Sequence, residues 1–139
     1  TYADIISNHE AGFVGYNIEQ NGGPSASFNF GIGNGRQWRG IANIAIRPQT
    51  WNLIVVNLLS QSIELYIHSD KDRLVRYAFD ERPFINNELP LMIGNWNAKD
   101  RPYHGQISLL SVSNLPYTRQ EMESLIMNKP DGSCGGKGI

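Results

Sequence analysis

An all-β chain is what this sequence predicts, built as two antiparallel sheets stacked in a sandwich with one short helix near the C-terminus. Three observations carry that expectation. The stretch Thr50 to Ile67, TWNLIVVNLLSQSIELYI, reads as two strands sharing one hairpin. Short runs of strand character recur along the whole chain with turn residues between them. Helical signals are confined to a single segment that begins at Thr118.

Taken in order, strands are expected at 2–7, 13–20, 25–32, 37–47, 51–59, 62–68, 73–79, 89–94 and 105–113. In the run 25–32, Ala26, Phe28, Phe30 and Ile32 fall on one face and Ser27, Asn29 and Gly31 on the other, the alternation of a half-buried strand. Asn21-Gly22-Gly23-Pro24 and Gly33-Asn34-Gly35 are turn signals, so 13–47 reads as a meander of three antiparallel strands. In 51–59 both alternating sets are largely apolar, Trp51, Leu53, Val55 and Leu59 against Ile54, Val56 and Leu58, which predicts cover on both faces. The returning strand alternates cleanly, Ile63, Leu65 and Ile67 against Glu64, Tyr66 and His68. Thr118-Arg119-Gln120-Glu121 fits a capping box, and Met122, Leu125 and Ile126 then form an apolar stripe at helical spacing. Pro130 and Gly132 end that helix, and the Gly-rich tail 131–139 is expected to be flexible.

With 139 residues the chain suits one domain, placed at 1–130, with a real core. Twelve Lys and Arg against thirteen Asp and Glu leave a formal charge of -1, which offers no general attraction to nucleic acid. No apolar run is long enough for membrane insertion as a helix. The start at Thr1, without an initiator Met or a signal peptide, predicts a chain excised from something longer. Few charges and many Asn, Ser and Gly suit an extracellular or cell-surface β domain. The one cysteine, Cys134, lies in the tail, so no internal disulfide can form.

Three motifs resemble one family. Thr50-Trp51-Asn52-Leu53-Ile54-Val55-Val56, with Glu64-Leu65-Tyr66-Ile67 after it, looks like the Trp-His-His-Val-Ala-Val strand and Leu-Tyr-Ile-Asp-Gly hairpin of laminin-G-like domains. Leu91-Met92-Ile93-Gly94 with His104-Gly105-Gln106-Ile107 resembles their paired Ile-Gly and Phe-x-Gly-x-Ile pattern. Val112 to Met122 resembles their ending of a strand followed by a capped helix. Order and spacing agree from about residue 50 to 126. The resemblance implies the jelly-roll sandwich of the concanavalin A-like lectin and glucanase fold, with Trp51 in its core. It also implies two opening strands ahead of Asp4-Ile5-Ile6-Ser7-Asn8 that are absent here, leaving a sheet edge for another chain or domain to cover. His68-Ser69-Asp70-Lys71-Asp72 stands where the family has Asp-Gly, and Ser108 where an Asp commonly follows Ile, which weakens transfer of a family metal site.

Glycosidases on that fold carry Glu-x-Asp-x-Glu on one strand, and no such triplet occurs in this chain. His9, His68 and His104 form no ligand pair, and Gly31-Ile32-Gly33-Asn34-Gly35-Arg36 joins two strands where a phosphate cradle would open a helix. No enzyme is therefore expected. For calcium, the oxygens on offer are Asp70 and Asp72, or Asn97 and Asp100, with a solvated, charge-paired turn as the plainer reading of the first pair. The loop 95–103 mixes aromatic surface with short polar side chains, the combination that packs on the C–H face of a sugar and bonds its hydroxyls. Trp96, Asn97, Asp100, Arg101 and Tyr103 are the candidate ligand-binding residues there, and Trp38, flanked by Arg36, Gln37 and Arg39, is a second platform. The competing reading makes these rings packing residues at the sheet edge. The expected function is a non-catalytic, lectin-like carbohydrate-recognition module of a larger secreted protein. The alternatives are an adhesion module that binds an extracellular protein and a structural accessory domain of a glycan-processing enzyme.

Overall fold

The computed structural model describes residues 2–10, 13–21, 27–69, 72–78, 88–96 and 100–128. Its strands are β1 (Ala3–Glu10), β2 (Val14–Gln20), β3 (Ser27–Gly33), β4 (Trp38–Ala45), β5 (Leu53–Leu58), β6 (Ser62–His68), β7 (Asp72–Ala78) and β8 (Met92–Ile93), followed by helix α1 (Arg119–Met127). The fold is antiparallel β with one short helix, in a five-stranded sheet ordered β4-β3-β2-β1-β8 and a three-stranded sheet ordered β5-β6-β7. The chain divides into two compact units, Thr1–Ile46 with Phe79–Gly105 and Arg47–Ala78 with Gln106–Ile139. Among the described residues no helix is long and apolar enough to cross a membrane.

In the first unit, β2, β3 and β4 form the expected meander, and β1 adds a fourth strand. Asn34 shapes the β3–β4 turn, its Oδ1 accepting from the amides of Arg36 at 3.0 Å and Gln37 at 2.9 Å. One face of this sheet is core: Phe28, Phe30, Ile32 and Ile44 are all buried. Two bulges set the opposite face. An extra residue at Ile5 brings Asp4 into register with Glu19 while Ser7 stays opposite Asn17, so Asp4, Ser7 and His9 share one side. On β4 two residues, Ala42 and Asn43, stand against Asn29 alone, with Asn43 at φ 56 and its amide bonded to Asn29 Oδ1 at 2.8 Å. β1 runs on to Glu10, past its expected end at residue 7, because pairing of His9 with Gly15 and Glu10 with Val14 continues the ladder where hydrophobic alternation has stopped.

In the second unit, Ile63, Leu65 and Ile67 of β6 are fully buried. The other side of the same strands carries Val55 and Tyr66, register partners, which pack with Met122 of α1, and Leu53, Tyr117 and Ile126 close around them. On β5 the helix covers the Val55 side, while Ile54 and Val56 on the other side are half-buried and Leu58 is 37% exposed, so the expected cover on both faces holds in part. Buried Asn57 fixes where that helix begins: it donates to Tyr117 O and accepts from Tyr117 N, both at 2.9 Å. The capping box forms as its residues imply, with Thr118 Oγ1 accepting from Glu121 N and Glu121 accepting from Thr118 N.

Two expected strands differ. The run 89–94 contracts to Met92–Ile93, since Pro90 has no N–H for a ladder and Gly94 turns the chain at φ 80. The run 105–113 forms no strand, because a strand persists only by pairing and this segment pairs with none of the described strands. Its apolar alternation is left outside, with Leu109 64% and Val112 67% exposed. The tail 131–139, including Cys134, lies outside the described residues.

Candidate functional site

The polar face of the five-stranded sheet gathers three cross-strand rows. The first runs Asp4–Glu19–Asn29 and on to Asn43 across the bulge; the second runs Ser7–Asn17–Gly31–Gly40; the third joins His9 with Gly15 on one side and Gly33 with Trp38 on the other. Each row uses the polar set of strands whose other set is core, so the same alternation that builds the core assembles this face. Gly33 is required by close approach, since a Cβ there would fall 1.9 Å from Phe13 O.

Aromatic rings occupy one end of the face. The His9 imidazole stacks on Trp96 with centroids 5.0 Å apart, and meets Trp38 edge-on at 5.3 Å. Phe13 adds a further edge contact to Trp38 at 6.5 Å. Trp96 is half-buried and donates its indole N–H to His9 O at 3.2 Å, while its backbone closes the loop by paired bonds with Asp100. Trp38 is the more open ring, 38% exposed.

Charges lie against this ring cluster. Asp4 is completely buried, and its Oδ1 accepts no hydrogen bond within the described residues. Its compensation is ionic: Arg101 Nη1 lies 3.8 Å away, and His9 Nε2 is 3.4 Å from Oδ2. The same Arg101 Nη1 donates to Glu19 at 3.0 Å, and the guanidinium lies over the rings of Trp96 at 5.1 Å and Tyr2 at 5.7 Å. Arg101 holds this position from a left-handed backbone at φ 53, and its carbonyl accepts from Asp4 N at 2.9 Å. Glu19 also accepts from Asn17 and Asn29, each at 3.1 Å, and Asn21 extends the network to Asn29, Ser27 and Asn43. Two carboxylates thus face one guanidinium, and His9 adds a second cation only when protonated.

Of the residues expected to bind ligand, Trp96, Arg101 and Trp38 come together here, joined by His9. Sequence spacing gave no sign that the two tryptophans belong to one cluster. Asp100 is exposed and contributes its backbone to the loop. Tyr103 is half-buried, bonded through its N–H to Gly94 O at 2.8 Å, with its phenol against Gly105. Asn97 lies outside the described residues, as does Asp70; Asp72 opens β7, and its side chain is not described. Among the described residues no three His, Cys, Asp or Glu side chains gather as metal ligands; of the calcium candidates, Asp70, Asn97 and the Asp72 side chain lie outside that set. Asp4, His9, Asn17, Glu19 and Gly31 were not singled out from the sequence. The signal that could have found them is the polar half of each alternating strand, Asn17 and Glu19 beside Tyr16 and Ile18, and Asn29 and Gly31 beside Phe28 and Phe30.

Comparison with protein-family models, with curated proteins and with solved structures gave no match to this chain.

Proposed function

We propose that this chain is a non-catalytic carbohydrate-recognition module whose ligand lies on the polar face of the five-stranded sheet. One observation carries the reading: an exposed tryptophan, Trp38, stands on a sheet face that also carries amides, carboxylates and glycines. An indole offers a flat apolar surface to the C–H side of a pyranose, and short polar side chains on a rigid sheet fix its hydroxyls. The buried Asp4 is paired with Arg101 and His9, which suits a structural role for this carboxylate. Stacking of the two sheets as a jelly-roll sandwich of laminin-G-like type, and a secreted or cell-surface setting, belong to the same proposal; the motifs between residues 50 and 126 and the low charge content support them.

A glycan array of the folded chain, run with calcium and again with chelator, tests this reading. The expected result is a glycan signal that free sugar competes away and that survives chelation. A folded sample with no glycan signal would sink it. That outcome would favour the adhesion reading, which has its own support in Leu109, Val112 and Leu115, all more than half exposed between residues 106 and 117.

A further inference from the structure

We infer that the space above Gly31 is the primary subsite of this face, and that it accepts a neutral, hydroxyl-bearing sugar ring while rejecting anionic ones. The inference rests on the glycan reading above and specifies its ligand class.

Gly31 pairs with Gly40, so two neighbouring strands carry no side chain at this level of the sheet. Adjacent strands lie about 5 Å apart, so the bare strip is about as wide as one sugar ring. The three atoms nearest the point where a Cβ on Gly31 would start are Asn17 Oδ1 at 2.6 Å, Trp38 Cε3 at 3.6 Å and Asn17 Cγ at 3.8 Å. An amide oxygen and an indole edge therefore converge beside the paired glycines.

Asn17 is a built group and no chance surface amide. The residue is only 8% exposed, and its Nδ2 is committed to Glu19 at 3.1 Å. Its Oδ1 has no hydrogen-bond partner among the described residues and points over Gly31 beside Trp38. That oxygen keeps access to solvent, so a ligand hydroxyl can take the place of water on it.

The remaining polar atoms fix the sign of that ligand. Glu19 accepts three hydrogen bonds, from Asn17, Asn29 and Arg101, and a carboxylate has room for about four. Asn17 Oδ1 and Glu19 thus both offer acceptor capacity and no proton. A sugar hydroxyl can donate to either. A uronate carboxylate or a sulfate has no proton to give, and among the described residues meets Glu19 and Asp4 against the Arg101 guanidinium, whose Nη1 those two already share.

The test is titration calorimetry of the whole chain against gluco-, manno- and galacto-oligosaccharides, each beside its C6-oxidised uronate. At least one neutral series should bind, with its uronate about tenfold weaker or more at low salt. Raising the salt should narrow that gap without any mutation, and Glu19→Gln should narrow it to about threefold. Gly31→Ala, which puts a methyl on the subsite floor, and Trp38→Ala should each weaken neutral binding by about tenfold or more, with thermal unfolding confirming a folded sample. Uronates binding as well as neutral sugars would overturn the inference and leave the glycan reading standing, as would neutral binding indifferent to both Gly31→Ala and Trp38→Ala. Absence of binding to every sugar would overturn the glycan reading and this inference with it.

Discussion

The two sheets use the same alternation for different ends. In the three-stranded sheet the central strand is buried on both faces: Ile63, Leu65 and Ile67 on one side, Tyr66 with Val55 under Met122 on the other. In the five-stranded sheet one face holds Phe28, Phe30 and Ile32, and the other is left polar, held by ion pairs and amide bonds. A face that packs gains stability in proportion to the apolar area it removes from water. A face that stays polar contributes little of that, yet here it leaves the Trp38 ring open to solvent beside polar groups, and binding needs such a surface.

The sharpest way to break this contrast is Leu65→Ala. Leu65 is fully buried, and truncation should cost about 2–5 kcal/mol through lost transfer energy and the cavity left behind. Urea unfolding reads the loss, and a change under about 1 kcal/mol would mean that this face is not the packed one.

Arg101→Ala attacks the other sheet. It leaves buried Asp4 with His9 as its remaining partner and frees Glu19 from its cation. The guanidinium is about a third exposed, so the expected cost is about 2–3 kcal/mol, below that of a fully buried pair. Adding Asp4→Asn should recover part of it, because the stranded charge is then gone; strict additivity in that double-mutant cycle would show that the two residues do not interact.

The smallest effect belongs to the helix that covers the three-stranded sheet. Thr118→Ala removes the N-cap and should cost about 1 kcal/mol. Glu121 is held below its ordinary 4.5 by the Thr118 backbone N–H first and the Thr118 hydroxyl second. Its folded-state value lies below the unfolded one, so its contribution is present above pH 4.5 and is lost as pH falls through the lowered value. Unfolding midpoints followed through that acid range should fall less steeply in Glu121→Gln; identical slopes would rule the cap carboxylate out.

How much was legible in the chain differs between these regions for a physical reason. The hairpin 50–67, the meander from Val14 to Ala45 and the capped helix all follow from near neighbours, since alternation, turn residues and caps act over a few positions. The run 105–113 has equally good alternation and forms no strand, because local pattern states a preference for extension while pairing depends on what lies alongside. The candidate site shows the same limit. Trp38 and the loop around Trp96 could be picked out as aromatic surface among polar residues, yet nothing local joined them, and His9, which does, looked like a solitary histidine. Asp4 and Glu19 escaped a search for carboxylates spaced along one strand, because they meet across two.

Residue type and spacing along the chain thus determined the β class, most strand positions, the helix start and the presence of a polar set opposite each apolar one. Only the tertiary structure decided which polar sets lie side by side. Register does that, and here the extra residue at Ile5 and the bulge at Asn43 shift it so that Asp4 faces Glu19 and Asn43 faces Asn29. A one-residue change in pairing moves every side chain beyond it to the opposite face, at no cost that the local sequence records.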